Sequence, residues 1–124
     1  MVHILYYRDT HSLRLRGHAG AGEPGKDPVC AAVSALALTL ASNVTDLPGR
    51  RCIRLRPGQA RVALQPKKGF CPVARLVFDT VFTGLQTLAA LYPMYIRCQM
   101  KEEDYGITHR EAPIAKIPAA FTGL

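Results

Sequence analysis

The chain changes its hydrophobic period twice, in the same order each time. Val2 to Tyr7 is a run of β-branched and aromatic residues, and Leu13 and Leu15 then alternate with Arg14 and Arg16 before Gly17 and His18. A period of two marks half-buried strands, so these residues read as a hairpin turning at Arg8-Asp9-Thr10-His11. From Val29 the period becomes helical, with Val29, Val33, Leu36 and Leu40 on one stripe and alanines between them. The sequence of patterns then repeats. Ile53 and Leu55 alternate with Arg54 and Arg56, Pro57-Gly58 turns, and Val62 and Leu64 alternate with Arg61 and Ala63. After a basic loop at Pro66 to Gly69, a second helix starts near Pro72 with Val73, Val77, Val81, Leu85 and Leu88 on one face. Tyr92-Pro93 stops it, and Tyr95 to Met100 supplies a last strand. The order ββαββαβ predicts an α/β (α+β) two-layer sandwich, with both helices on one face of a mixed or antiparallel sheet. Residues 1–100 form this domain, and 101–124, with Pro113, Pro118 and no clear period, read as a C-terminal tail.

A length of 124 residues fits one domain, and 48% hydrophobic against 20% charged residues excludes a disordered tail protein. No stretch reaches the roughly 20 apolar residues of a membrane span. The richest, Val29 to Val44, is interrupted by Ser34, Thr39, Ser42 and Asn43. The opening MVHILYYRD has no basic leader and no small-residue cleavage site, so the expected compartment is the cytoplasm, where thiols stay reduced. Cys30, Cys52, Cys71 and Cys98 are widely spaced with no CxxC pair, which argues against both a disulfide framework and a metal site. Cys52, Cys71 and Cys98 read as small buried hydrophobes.

Cys30 stands apart because of what surrounds it. Asp27-Pro28 has the form of a helix start, with Asp as N-cap and Pro at the first helical position. Cys30 then lies in the first turn, where backbone N–H groups lack intrahelical partners and the helix dipole is positive. A thiol in such a place commonly has its pKa lowered from ~8.5 to ~3.5–7.5, and the thiolate is the nucleophile. The same N–H groups could bind an oxyanion. His18, at the end of a strand, can take the thiol proton and return it to a leaving amine. The loop AGAGEPGKD between them carries Gly20, Gly22 and Gly25, which with Gly17 leave room for substrate, and it has little reason to hold one conformation by itself. Asp27 reads first as a cap and second as a carboxylate orienting His18. Ser34, one turn on, reads as a helix-packing residue or as part of the site's lining.

The segment GHAGAGEPGKDPVCAAVSAL, residues 17–36, closely resembles the signature of the bacterial ribosomal-processing cysteine protease family, Prp. It contains Gly17-His18-Ala19, a glycine-bearing loop, Gly25-Lys26-Asp27-Pro28, and Val29-Cys30-Ala31-Ala32. TGLQTLAALYPMYI, residues 83–96, is similar to the family's last helix and strand. The resemblance implies that Cys30 is the nucleophile and His18 the general base and acid. It also implies a substrate: the twenty-seventh protein of the large ribosomal subunit, whose N-terminal extension is removed after an aromatic residue during ribosome assembly. It further implies a homodimer, a glycine loop that orders over substrate, and no cofactor. The chain departs from the pattern at Pro28, where an aliphatic residue is usual, in the lack of an aromatic residue in the loop, and in the length of its tail.

A second reading is a non-catalytic ribosome- or RNA-associated module. The net charge is +7, and Arg14, Arg16, Arg54, Arg56 and Arg61 fall on alternating strand positions, with Lys67 and Lys68 following. The plainer explanation of such alternation is a solvated sheet face that resists edge-to-edge association. The absence of Trp and only four Phe make a base-stacking platform a poor fit.

Overall fold

The computed structural model describes residues 1–101 apart from residue 24. Its elements follow the expected order: β1 (Val2–Tyr7), β2 (Ser12–Arg16), α1 (Pro28–Asp46), β3 (Gly49–Arg56), β4 (Gln59–Pro66), α2 (Cys71–Leu91) and β5 (Ile96–Lys101). The last strand therefore runs one residue beyond the expected domain end, and the rest of the expected tail lies outside the described residues.

The five strands form one sheet in the order β3-β4-β2-β1-β5. The β1–β2, β2–β4 and β3–β4 pairs are antiparallel and β1–β5 is parallel, so the sheet is mixed. Strands of the same direction need a crossover connection, and α2 supplies it from β4 to β5, which lies three places along the sheet beside β1. α1 likewise joins β2 to β3, two strands of the same direction that flank β4. Crossovers of this kind are right-handed. The two run opposite ways along the sheet from oppositely directed strands, which puts both helices on the same face. The register aligns Ile4 with Leu15, Leu15 with Ala60, and Ile53 with Val62, so one face is continuously apolar. Against it lie Val33, Leu40, Val44, Phe78 and Leu85, all buried.

α1 has the length and apolar composition of a membrane span. Its apolar stripe is nevertheless used on the sheet, where Val29, Val33, Ala37, Leu40, Ala41 and Val44 are buried. Leu36, expected on that stripe, is half-buried and faces α2 at Gly84, where an added Cβ would stand 3.1 Å from it. α2 departs further from expectation. Its buried residues are Ala74, Phe78, Val81, Phe82 and Leu85, while Val73 is 45% exposed and Val77 half-buried. The valine stripe and the aromatic stripe have equally good helical periods. The aromatic one lies against the sheet because Phe78 and Phe82 bury more surface and meet the Tyr6 ring at centroid distances of 6.2 and 4.8 Å.

A polar clasp closes this aromatic cluster. The Tyr6 hydroxyl donates to Asp79 Oδ1 at 2.7 Å, and Arg8 donates to the same carboxylate through Nε and Nη2. Partial burial of Asp79 disfavours its ionised form, but the Arg8 and Tyr6 hydrogen bonds outweigh this and hold its carboxyl below the usual range. Because the folded-state value is depressed, the stabilisation is complete above the ordinary carboxylate range and is lost below it, as pH falls through the lower folded-state value. Asp79→Ala leaves the buried Tyr6 hydroxyl without its partner and should cost about 1–3 kcal/mol in urea unfolding. Asp79→Asn should flatten the acid limb of a stability-versus-pH curve. An unchanged midpoint and an unchanged acid limb would contradict this account of the clasp.

Candidate active site

β2 ends at Arg16, and Gly17 turns the chain with a φ of 103°, a left-handed value that favours glycine. The Gly17 N–H donates to the Gly58 carbonyl at 2.8 Å, which ties the end of β2 to the β3–β4 turn. The His18 carbonyl accepts from the Met1 amine at 2.6 Å. The imidazole lies directly over Gly58. A Cβ built there would stand 2.7 Å from His18 Nε2 and 3.2 Å from Cε1, and Gly58 itself has a φ of 73°. Gly58 is therefore the seat of the His18 ring. The sequence marks it only as a turn residue, because its proximity to His18 follows from the β2–β4 pairing, with Arg16 opposite Gln59.

Cys30 is the third residue of α1 and is half-buried. Its helix starts at the same end of the sheet as His18, as chain lengths require. α1 spans 19 residues, about 28 Å at 1.5 Å per residue. β3 returns over eight residues, about 26 Å, to the turn that carries Gly58. The mouth of α1 is thus brought back to the level of that turn.

Asp27 joins these pieces. Its Oδ1 accepts from the N–H groups of Val29 at 2.9 Å and Cys30 at 3.0 Å, and its Oδ2 accepts from the Ala21 N–H at 2.9 Å. Its partial burial opposes ionisation, but hydrogen bonds from Cys30, Ala21, Val29 and Gly22 prevail and hold the carboxyl below its ordinary value. This is the capping role expected first. It engages the carboxylate with backbone donors, so the structure gives no support to the second role of orienting His18.

Two expectations change as a result. The N–H groups of Val29 and Cys30 are occupied by the cap, and the Ala31 N–H donates to the Asp27 carbonyl, so these groups are not open to an oxyanion. The loop also has more reason to hold its shape than its glycines suggest. Ala19 is buried in the core, Ala21 packs against it, and Asp27 fastens Ala21 and Gly22. Gly20 and Gly25 take left-handed φ values of 73° and 80°. At Gly22 a Cβ would stand 3.0 Å from the Lys26 carbonyl oxygen. Ser34 is buried one turn beyond Cys30.

The other thiols differ. Cys52 is fully buried on β3, as expected, whereas Cys71, expected to be buried, is exposed at the start of α2. Cys98 is half-buried, and burial pushes its thiol up to about 11. Among the described residues no cluster of three metal-ligating side chains occurs.

The fold is that of a known class of peptidase. A ribosomal processing protease Prp from S. aureus, in complex with a covalently linked product peptide, superposes with a TM-score of 0.67 at 27% identity. The match covers 81% of this chain and 97% of that one. The same S. aureus protease in complex with a substrate peptide gives 0.61 at 25% identity, covering 81% and 97%. SMU.848 from Streptococcus mutans gives 0.60 at 25%, covering 80% and 90%. No curated protein sequence matches significantly. Residues 1–97 match the family described as cysteine protease Prp. The chain belongs to that family and is a cysteine protease.

Two substitutions test the geometry. Gly58→Ala introduces a Cβ at a left-handed φ, which costs roughly 1–2 kcal/mol, and pushes the imidazole off its seat. The expected result is a folded chain with a lower Tm and shifted His18 ring resonances in NMR spectra. Unshifted resonances would contradict the seat. Asp27→Ala should cost about 0.5–2 kcal/mol as a lost cap and raise hydrogen exchange at Ala21 and Gly22, both of which the cap account requires.

Proposed function

We propose that this protease removes the N-terminal extension of the twenty-seventh protein of the large ribosomal subunit. In this reading it acts in the cytoplasm as a homodimer, with Cys30 as nucleophile and His18 as general base and acid. The observation that carries the reading is the position of Cys30: like Cys71 it lies in the first turn of a helix, but its helix starts at the end of the sheet where His18 is seated. The S. aureus relative, named for ribosomal processing and holding a covalently linked product peptide, supports both the substrate class and a nucleophilic mechanism.

The chemistry follows from these groups. His18 takes the Cys30 thiol proton as Sγ attacks the scissile carbonyl carbon. The resulting tetrahedral species collapses when the C–N bond breaks, and His18 gives the proton to the departing amine. The acyl group is now a thioester on Cys30. Water attacks it while His18 again accepts a proton, the C–S bond breaks, and the sulfur recovers its proton from His18.

Asp27 shapes this step electrostatically. A carboxylate in the helix mouth offsets part of the positive dipole that would favour a thiolate. The reactive state is therefore best formed as a Cys30–His18 ion pair, in which the proton moves from one to the other without a change in net charge. The glycines at 17, 20, 22 and 25 keep side chains away from the path of the substrate backbone.

A peptide spanning the precursor's extension and mature start provides the test. Wild type should cleave it at the junction. His18→Ala should slow cleavage by about 10²–10⁴-fold, and Cys30→Ala should abolish it. Equal turnover by Cys30→Ala would remove the mechanism. Cleavage of other peptides but not of this one would remove the substrate.

A further inference from the structure

The face of the sheet opposite the helices carries a groove of about 740 Å³. The strand register explains its charge. Arg54 lies opposite Arg61, and Arg61 opposite Arg14, which makes a row of three arginines across three adjacent strands. One step along, Arg56, Arg16 and Arg97 share the next row, with Gln59 and His3 between them. Lys101 also lines the groove, and among the described lining residues there is no Asp or Glu. Arg16, Arg54, Arg56, Arg97 and Lys101 are exposed. Lys67 and Lys68, expected nearby, sit beyond the far end of β4 and take no part.

Protection of sheet edges does not account for this pattern. β2 and β4 are interior strands, so Arg14, Arg16 and Arg61 are not on an edge. Like charges directly opposite one another destabilise a sheet. The exposed Arg16, Arg54, Arg56, Arg97 and Lys101 keep the charge of this face within reach of an anionic occupant. Within the first row the arginines stand one strand spacing apart, about 4.8 Å, and arginine forks match phosphate oxygens in pairs. The described lining has no Phe, Tyr or Trp, so it lacks both the aromatic anchors of a protein interface and a platform for bases.

We propose that this groove binds the phosphate backbone of RNA without reading its sequence, as a site separate from Cys30 and independent of the proposed cleavage mechanism. Binding of a labelled 20-nucleotide polyuridine RNA by the full chain, followed by fluorescence anisotropy, tests it. If about four cations engage phosphates, log Kd should change with log salt with a slope of about 3, a loss of about 50-fold in affinity between 50 and 200 mM salt. The variant Arg54→Gln/Arg97→Gln/Lys101→Gln should lose about two units of that slope and at least tenfold in affinity at 100 mM salt, while cleaving a short peptide substrate at the wild-type rate. Polyglutamate serves as the competing anion. The proposal is overturned by an RNA affinity unchanged in the variant, by a flat salt response, or by polyglutamate binding as tightly as RNA.

Discussion

The site depends on one carboxylate. Asp27 caps α1 through Val29 and Cys30 and fastens the preceding loop through Ala21 and Gly22. A single side chain thus fixes the angle at which the helix starts, the depth of Cys30, and the closure of the segment that leads from His18. Pro28 strengthens the arrangement, because its fixed φ suits the first helical position and it has no N–H to satisfy. The same carboxylate has an electrostatic effect. It draws down the positive field of the helix mouth.

The fold brings His18 to this place by pairing strands that are distant in sequence. The Gly17 N–H bonded to the Gly58 carbonyl and the bare Cα of Gly58 hold the imidazole over the second hairpin's turn. The two hairpins therefore have different tasks. The first delivers His18 at its end, and the second forms the surface on which the ring rests. The helices cover one face of the sheet, where Ile4, Tyr6, Leu13, Leu15, Ile53 and Val62 are buried, which leaves the other face to carry a charge pattern unrelated to the core. His18 and Cys30 at the sheet's end and the arginine rows on its open face are thus physically separable.

What could be read from the sequence was local. The alternation in Leu13-Arg14-Leu15-Arg16 and the Asp27-Pro28 start gave β2 and α1 their places, since strand period and helix capping depend on residues a few positions apart. The matched segment around Gly17-His18-Ala19 and Val29-Cys30-Ala31-Ala32 pointed to the family for the same reason. Facts that depend on distant pairing were not legible. The α2 stripe could not be settled, because Val73-Val77 and Ala74-Phe78 are equally periodic and the Tyr6 ring on β1 decides between them. The role of Gly58 and the Asp79 clasp on Tyr6 and Arg8 likewise need three-dimensional neighbours. The loop looked loose because its glycines were visible, whereas the burial of Ala19 and the second arm of Asp27 were not.

The central claim is that position, and not exposure, makes Cys30 the reactive thiol. Substoichiometric iodoacetamide at neutral pH, followed by peptide mapping of all four cysteines, tests it most directly. The account predicts alkylation at Cys30 first, ahead of Cys71, although Cys71 is exposed and Cys30 only half-buried. Alkylation of Cys71 first, with Cys30 reacting no faster than free cysteine, would contradict it.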